Sequence, residues 1–235
     1  MKMETSRIIL RPWRDNDAET LYKWASDPDV GPRAGWPPHK SVEESLEIIR
    51  TIFHNDRTWA IEMKETGEVI GCIGYFIYGE SNINIGENDA EAGYWIAKPY
   101  WNQGVCTEAL RLLIDYCFNE KKFQTIWSDF FVDNPASGRV MEKCGFHDTG
   151  EINYCSRLQM GSDRPVKVMK LRKCYGKVAG PRDIIKYETG NQSQGHQSGI
   201  RFRDVDESTN ADGDILQDAR RNETNKGQQA NRNEV

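Results

Sequence analysis

The chain has 235 residues, 37% hydrophobic and 29% charged, with a formal net charge of −5. That length suits one domain of ordinary size plus an appendage. Thirty-one basic residues against 36 acidic ones offer no broad cationic face for nucleic acid, and no apolar run reaches the ~18 residues of a membrane span. Met1 to Arg11 shows no apolar block of a secretory signal, so a cytoplasmic address with neither nucleic-acid nor membrane partners is expected. The six cysteines never form a C-x-x-C pair and the four histidines are scattered, which points to free thiols and to no metal site.

Taken in chain order, Arg7 to Pro12 is a short apolar strand that Pro12 either ends or marks as an edge strand. Asp15 or Asn16 can cap a helix with Ala18, Leu21, Tyr22 and Trp24 on one face. Residues 27 to 39 hold four prolines and two glycines and read as a loop. Ser41 and Glu44 spell a capping box for a second helix. Thr58 to Met63 and Val69 to Tyr78 flank a Glu-Thr-Gly-Glu turn, the spacing of an antiparallel hairpin. A third strand is expected over Ala90 to Ile96. Apolar residues at 109, 110, 113, 114, 117 and 118 then mark a helix from Gly104 to Glu120. Thr125 to Val132 is a strand, Asn134-Pro135 opens a short helix closed by Gly145, and the last strand covers about Pro165 to Leu171. Antiparallel strands followed by strand, helix, strand, helix, strand describe an α+β fold with mixed pairing.

Composition shifts near Gly176. Every tryptophan and cysteine lies before it, and residues 190–199 have linker chemistry. From there on 9 basic residues face 10 acidic ones, so the tail is polar rather than one-signed. The expected organisation is a domain over residues 1–175 and a disordered polar tail over 176–235. A partner-docking peptide is the other reading of that tail.

The stretch from Tyr94 to Leu110 reads as strand, tight turn with Gly104, and helix start. Such a turn aims several backbone N–H groups and the positive helix end at one point, a seat for a phosphate or pyrophosphate, where a Cβ on Gly104 would obstruct an anion. A plain helix-opening turn accounts for the same residues. Neither a P-loop nor a G-x-G-x-x-G pattern is present.

Three blocks carry a family resemblance: Glu91 to Ile96, Trp101 to Leu110, and Asn134 to Ser137 leading to Glu142 to Phe146. In order and spacing, residues 7–172 resemble the GNAT superfamily of acetyl-CoA-dependent N-acetyltransferases, on the branch with the ribosomal-protein-alanine acetyltransferases. The resemblance implies a mostly antiparallel mixed sheet flanked by helices. It implies that Trp101, Asn102, Gln103, Gly104, Val105, Cys106 and Thr107 hold the coenzyme A pyrophosphate. It also implies that strands ending near Ile96 and Val132 splay to admit the pantetheine arm, with backbone groups near Trp95, Ile96 and Ala97 facing the thioester. Trp101 and Cys106 depart from the superfamily's usual pyrophosphate motif, but backbone donors survive both changes. The family's frequent acid tyrosine is Met141 here, which cannot donate a proton, and the related branch points to Ser137 instead.

The expected reaction is attack by a primary amine on the thioester of acetyl-CoA, with a protein N-terminus or a small amine as acceptor. Glu91 is the candidate base, its alternative being a solvated strand-end carboxylate. Ser137 can protonate the departing sulfur or merely cap a helix. Asn134 can bond the pantetheine amides or simply mark a helix start. Cys106, a thiol at a helix N-terminus, raises an acyl-enzyme scheme, but no partner base lies nearby in sequence, so direct transfer in a ternary complex is preferred. Arg33 and Trp36 border the acceptor site by family analogy, or belong to a packed surface loop. The rival function is a coenzyme-A-binding regulatory module without turnover. A monomer or homodimer is expected.

Overall fold

The computed structural model describes residues 1–155, 164–173 and 186–188. Nine strands make one sheet: β1 (Lys2–Glu4), β2 (Ile8–Arg11), β3 (Thr58–Met63), β4 (Val69–Phe76), β5 (Asp89–Ile96), β6 (Thr125–Phe131), β7 (His147–Cys155), β8 (Arg164–Arg172) and β9 (Lys186–Glu188). Their order is β7-β8-β6-β5-β4-β3-β2-β1-β9. Every neighbouring pair is antiparallel except β5 and β6. The exception follows from connectivity, because a helix crosses between those two strands and a crossover returns the chain in the same direction.

Five helices accompany the sheet: α1 (Ala18–Ala25), α2 (Gly31–Ala34), α3 (Val42–Ile48), α4 (Val105–Asn119) and α5 (Pro135–Lys143). The apolar repeat of α4 does what its period predicts. Ala109, Leu110, Leu113, Ile114, Cys117 and Phe118 are buried against Ile70, Ile73, Ala90, Ala92 and Ile126 of the sheet. On the opposite face, Leu21 and Ala25 of α1 pack with Ile49 after α3 against Ala60 and Cys72. Fifteen residues of α4 therefore anchor one layer, and shorter helices build the other.

Ser41 caps α3 as expected, its Oγ accepting from the Glu44 N–H at 3.2 Å. The Glu44 carboxylate closes the box one residue early, on the Lys40 N–H. Between the layers, Arg11 is buried and forks onto both oxygens of Asp17 at 2.7 and 2.8 Å while its Nε donates to Glu62. That triad ties β2 and β3 to the start of α1. The loop expected over 27 to 39 contains the single turn α2, which Pro32 at its second position favours. At residues 186–188, inside the stretch assigned to the tail, the chain returns to the sheet as β9 beside β1. The remainder of that stretch lies outside the described residues.

Candidate active site

Two features of the chain converge on one end of β5. The first is the parting of β5 and β6. Their parallel ladder runs only from Asp89 opposite Thr125 to Glu91 opposite Trp127, although both strands continue to Ile96 and Phe131. The Ser128 hydroxyl donates to the Ala92 carbonyl at 2.8 Å and closes the apex. Beyond it the two edges separate, as the motif blocks imply.

The second feature is the turn before α4. Gly104 stands at φ +75° and Asn102 at φ +59°, the left-handed conformation that glycine and asparagine tolerate best. Gly104 offers α4 no side-chain cap. Among the described residues, the N–H groups of 102–107 donate to no acceptor. They are the orphan donors of a helix start, open to an anion and backed by the helix dipole. Arg7 steadies the turn from β2's approach, donating Nη1 to the Gln103 carbonyl at 3.3 Å and gripping Glu108 of the first helical turn at 2.8 Å through Nε. Trp101 pins the turn to β5 through a 2.7 Å bond from its indole Nε1 to the Ile96 carbonyl.

Two cavities meet here. The smaller, of about 320 Å³, is lined by Asn102, Gly104, Cys106 and Thr107 of the turn and by Arg139 and Lys143 of α5. Backbone donors and two cations fit a phosphorylated group. The larger, of about 780 Å³, is lined by Trp36, Glu91, Trp95, Asp129 and Phe131 among others. Arg33, Tyr94, Trp95, Asn134 and Ser137 line both. The junction lies where β5 and β6 part.

The sequence-derived residues fall unevenly about this junction. Trp95 packs edge-on against Trp36, with ring centroids 5.7 Å apart. Arg33 lies over the Trp101 ring at 5.5 Å. Asn134 does not cap α5; its amide reaches the Arg33 carbonyl at 3.3 Å and holds α2 over the opening. Gln103 turns its side chain onto the Pro99 carbonyl, and Val105 is a core residue. Ala97 is fully buried and lines neither cavity, and its N–H bonds the Ile70 carbonyl at 2.8 Å. By ladder alternation the peptide groups of Tyr94 and Ile96 point into the parting instead, and the Ile96 carbonyl is already taken by Trp101.

Glu91 is 3% exposed, and its Oε2 accepts from the Ser81 hydroxyl at 2.6 Å and the Asn82 N–H at 2.7 Å. Burial raises its pKa above the usual carboxylate value, against the lowering effect of those bonds. Cys106 is held as a thiol, because burial pushes its pKa up rather than the helix end pulling it down. Ser137 sits at the first turn of α5 with its Oγ 3.1 Å from the Tyr94 hydroxyl. Helix α5 can come this close because residue 138 is glycine; a Cβ there would stand 2.6 Å from Cζ of Phe130.

Tyr94 and Asp129 are the site residues that reading the sequence missed. Tyr94 brings a hydroxyl to the junction from β5, while Met141 of α5 is 1% exposed in the core. Asp129 had a signal: a lone carboxylate between Ser128 and two phenylalanines in an aromatic strand, where aspartate is depleted. Burial and then the charge of Glu91 push it up to about 7. Its carboxylate makes no hydrogen bond or ion pair among the described residues.

Comparison with known proteins gives this arrangement its class. A family model described as Acetyltransferase (GNAT) domain matches residues 7–147, and the chain belongs to that family of acetyl-CoA-dependent acyltransferases. It is similar to the uncharacterized N-acetyltransferase YoaA of Bacillus subtilis, 31% identical over 155 residues that cover 64% of this chain and 85% of that one. A shorter likeness, 37% over 70 residues, joins it to the ribosomal N-acetyltransferase-like YdaF of the same organism, covering 30% and 38% of the two chains. In fold it resembles spermidine N-acetyltransferase from Vibrio cholerae, solved with CoA and spermine, with a TM-score of 0.58 at 20% identity over 71% of this chain and 96% of that one.

Proposed function

We propose that this protein transfers the acetyl group of acetyl-CoA to a primary amine by direct attack in a ternary complex. The observation that carries the reading is the junction: an opening between parallel strands joins an anion-binding helix start to a separate, aromatic cavity bearing carboxylates. The smaller cavity takes the pyrophosphate on the N–H groups of residues 102–107, and the pantetheine arm runs into the parting between β5 and β6. The acceptor amine, from a protein N-terminus or a small molecule, enters through the larger cavity past Trp36 and Arg33. At the junction the Tyr94 and Ser137 hydroxyls, 3.1 Å apart, form a pair that can pass a proton to the departing sulfur.

The second reading, a coenzyme-binding module without turnover, draws on Met141 at the family's tyrosine position. Tyr94 answers it, since a phenolic hydroxyl stands at the junction from another strand. Thermal melting with saturating acetyl-CoA should raise Tm by mass action, by several degrees. Thiol release with a panel of primary amines then separates enzyme from module. No shift in Tm at millimolar acetyl-CoA would refute both readings, while a shift without thiol release leaves only the second.

A further inference from the structure

Among the carboxylates lining the larger cavity, Glu91 and Asp129 lie on the neighbouring strands β5 and β6, and of these two only Glu91 is supplied with hydrogen-bond donors among the described residues. Glu91 is tied at its Oε2 to Ser81 and Asn82, in the loop that folds back between β4 and β5. Asp129 is half-buried in the same cavity and bonds to nothing among the described residues. Register explains the difference. Glu91 is opposite Trp127 in the last rung of the parallel ladder. Asp129 follows two residues later on the same face, where the strands have begun to part. It stands on the open arm, toward the junction formed by Tyr94 and Ser137. Glu91 stands at the closed end.

We propose that Asp129 is the catalytic base that takes the proton of the incoming ammonium, and that Glu91 is a positioning residue behind it. The inference rests on the acetyl-transfer reading above. An ammonium gives one proton to the Asp129 carboxylate, and the freed amine lone pair forms a bond to the thioester carbon, placing negative charge on the carbonyl oxygen. The carbon–sulfur bond then breaks, and sulfur takes the electron pair. The second proton of the nitrogen passes through the Tyr94 and Ser137 hydroxyls to the thiolate. Amide and thiol leave, and Asp129 returns its proton to water, so the net products are the acetylated amine, coenzyme A and one proton.

The surroundings suit a base that works near neutrality. Burial and the Glu91 charge together hold Asp129 at about 7, close to the operating pH that favours proton transfer. Among the described residues no cation lowers it: Arg164 of β8 lies 3.8 Å over the Phe131 ring and pairs with Asp133 at 2.6 Å. Lys170 of β8 lies 5.7 Å over the Trp127 ring, Arg33 of α2 lies over Trp101, and Arg57 pairs with Glu80 at 2.7 Å. His39 is bonded to Ser45 at 2.8 Å and is held toward its neutral form by burial. Tyr94 stays protonated because burial raises it well above its usual value.

The test is the pH profile of thiol release by the full-length protein from acetyl-CoA, with an equimolar pool of spermidine, lysine methyl ester, and alanyl and seryl peptides with free N-termini. The expected kcat/KM rises with pH through a limb near 7. Asp129→Asn should lower it by about 10²–10⁴-fold at pH 8 and abolish the limb. Asp129→Glu should keep the limb at reduced rate. Glu91→Gln should move the limb to lower pH, an effect that loss of packing alone would not produce. An acetyl-CoA-induced rise in Tm equal to the parent's confirms that Asp129→Asn is folded; if it is not, the limbs of the other two variants decide. An unchanged limb in every variant overturns this inference and leaves acetyl transfer standing. No thiol release by the parent protein overturns both.

Discussion

A carboxylate that meets no donor inside a fold costs stability whenever it is charged, and among the described residues Asp129 meets none. Its folded pKa of about 7 lies above the ordinary value of 3.8. Between those values the folded protein keeps a proton that the unfolded chain has released. Stability therefore falls as pH rises through that window and stays reduced above it. Asp129→Asn removes the loss. Its Tm should match the parent's near pH 4 and exceed it at pH 8, by a stability gain on the order of 2–4 kcal/mol. Equal Tm values at both pH values in calorimetry would mean that Asp129 titrates as an ordinary surface group. A residue that lowers stability at working pH and lies in a cavity fits the pattern expected at functional sites.

At the scale of elements, α5 decides how closely a helix can press on the parting strands. Gly138 lets Ser137 reach the Tyr94 hydroxyl, since any Cβ at 138 runs into the Phe130 ring. Gly138→Ala should destabilise the protein by about 1–3 kcal/mol through overpacking, and should lower kcat more than it raises KM for acetyl-CoA. A crystal structure with the Tyr94–Ser137 bond intact and kinetics unchanged would contradict that. Helix α4 was legible in sequence because its period is strong: six positions repeat as a helix and all six are buried, whereas the nine-residue β7 was missed. β1 and α2 were not legible, since three and four residues carry no period. The turn before α4 was legible too, because Gly104 and a helix start are local features. The carboxylate pair was not. Glu91 and Asp129 are neighbours only because a crossover of some thirty residues returns β6 parallel to β5 in one register, and register is set by tertiary packing.

On the scale of the whole molecule, the sheet is continuous by its strand order yet divided by its hydrogen bonds. Three residue pairs join β5 to β6, against seven between β6 and β8 and six between β4 and β5. Six strands, β1 to β5 and β9, thus hang on one side of a short seam, with β6 to β8 on the other. An amide-bearing ligand lodged in the gap would act as a missing rung, bracing the two wings against each other. Amide hydrogen exchange should then slow on acetyl-CoA addition at residues 92–96 and 128–131, while the β3–β4 hairpin exchanges as before. Exchange slowed uniformly across the sheet would instead show that the wings already move as one plate without the ligand. In the expected case the enzyme's own substrate is a structural splint, and each turnover loosens and resets the halves of the molecule.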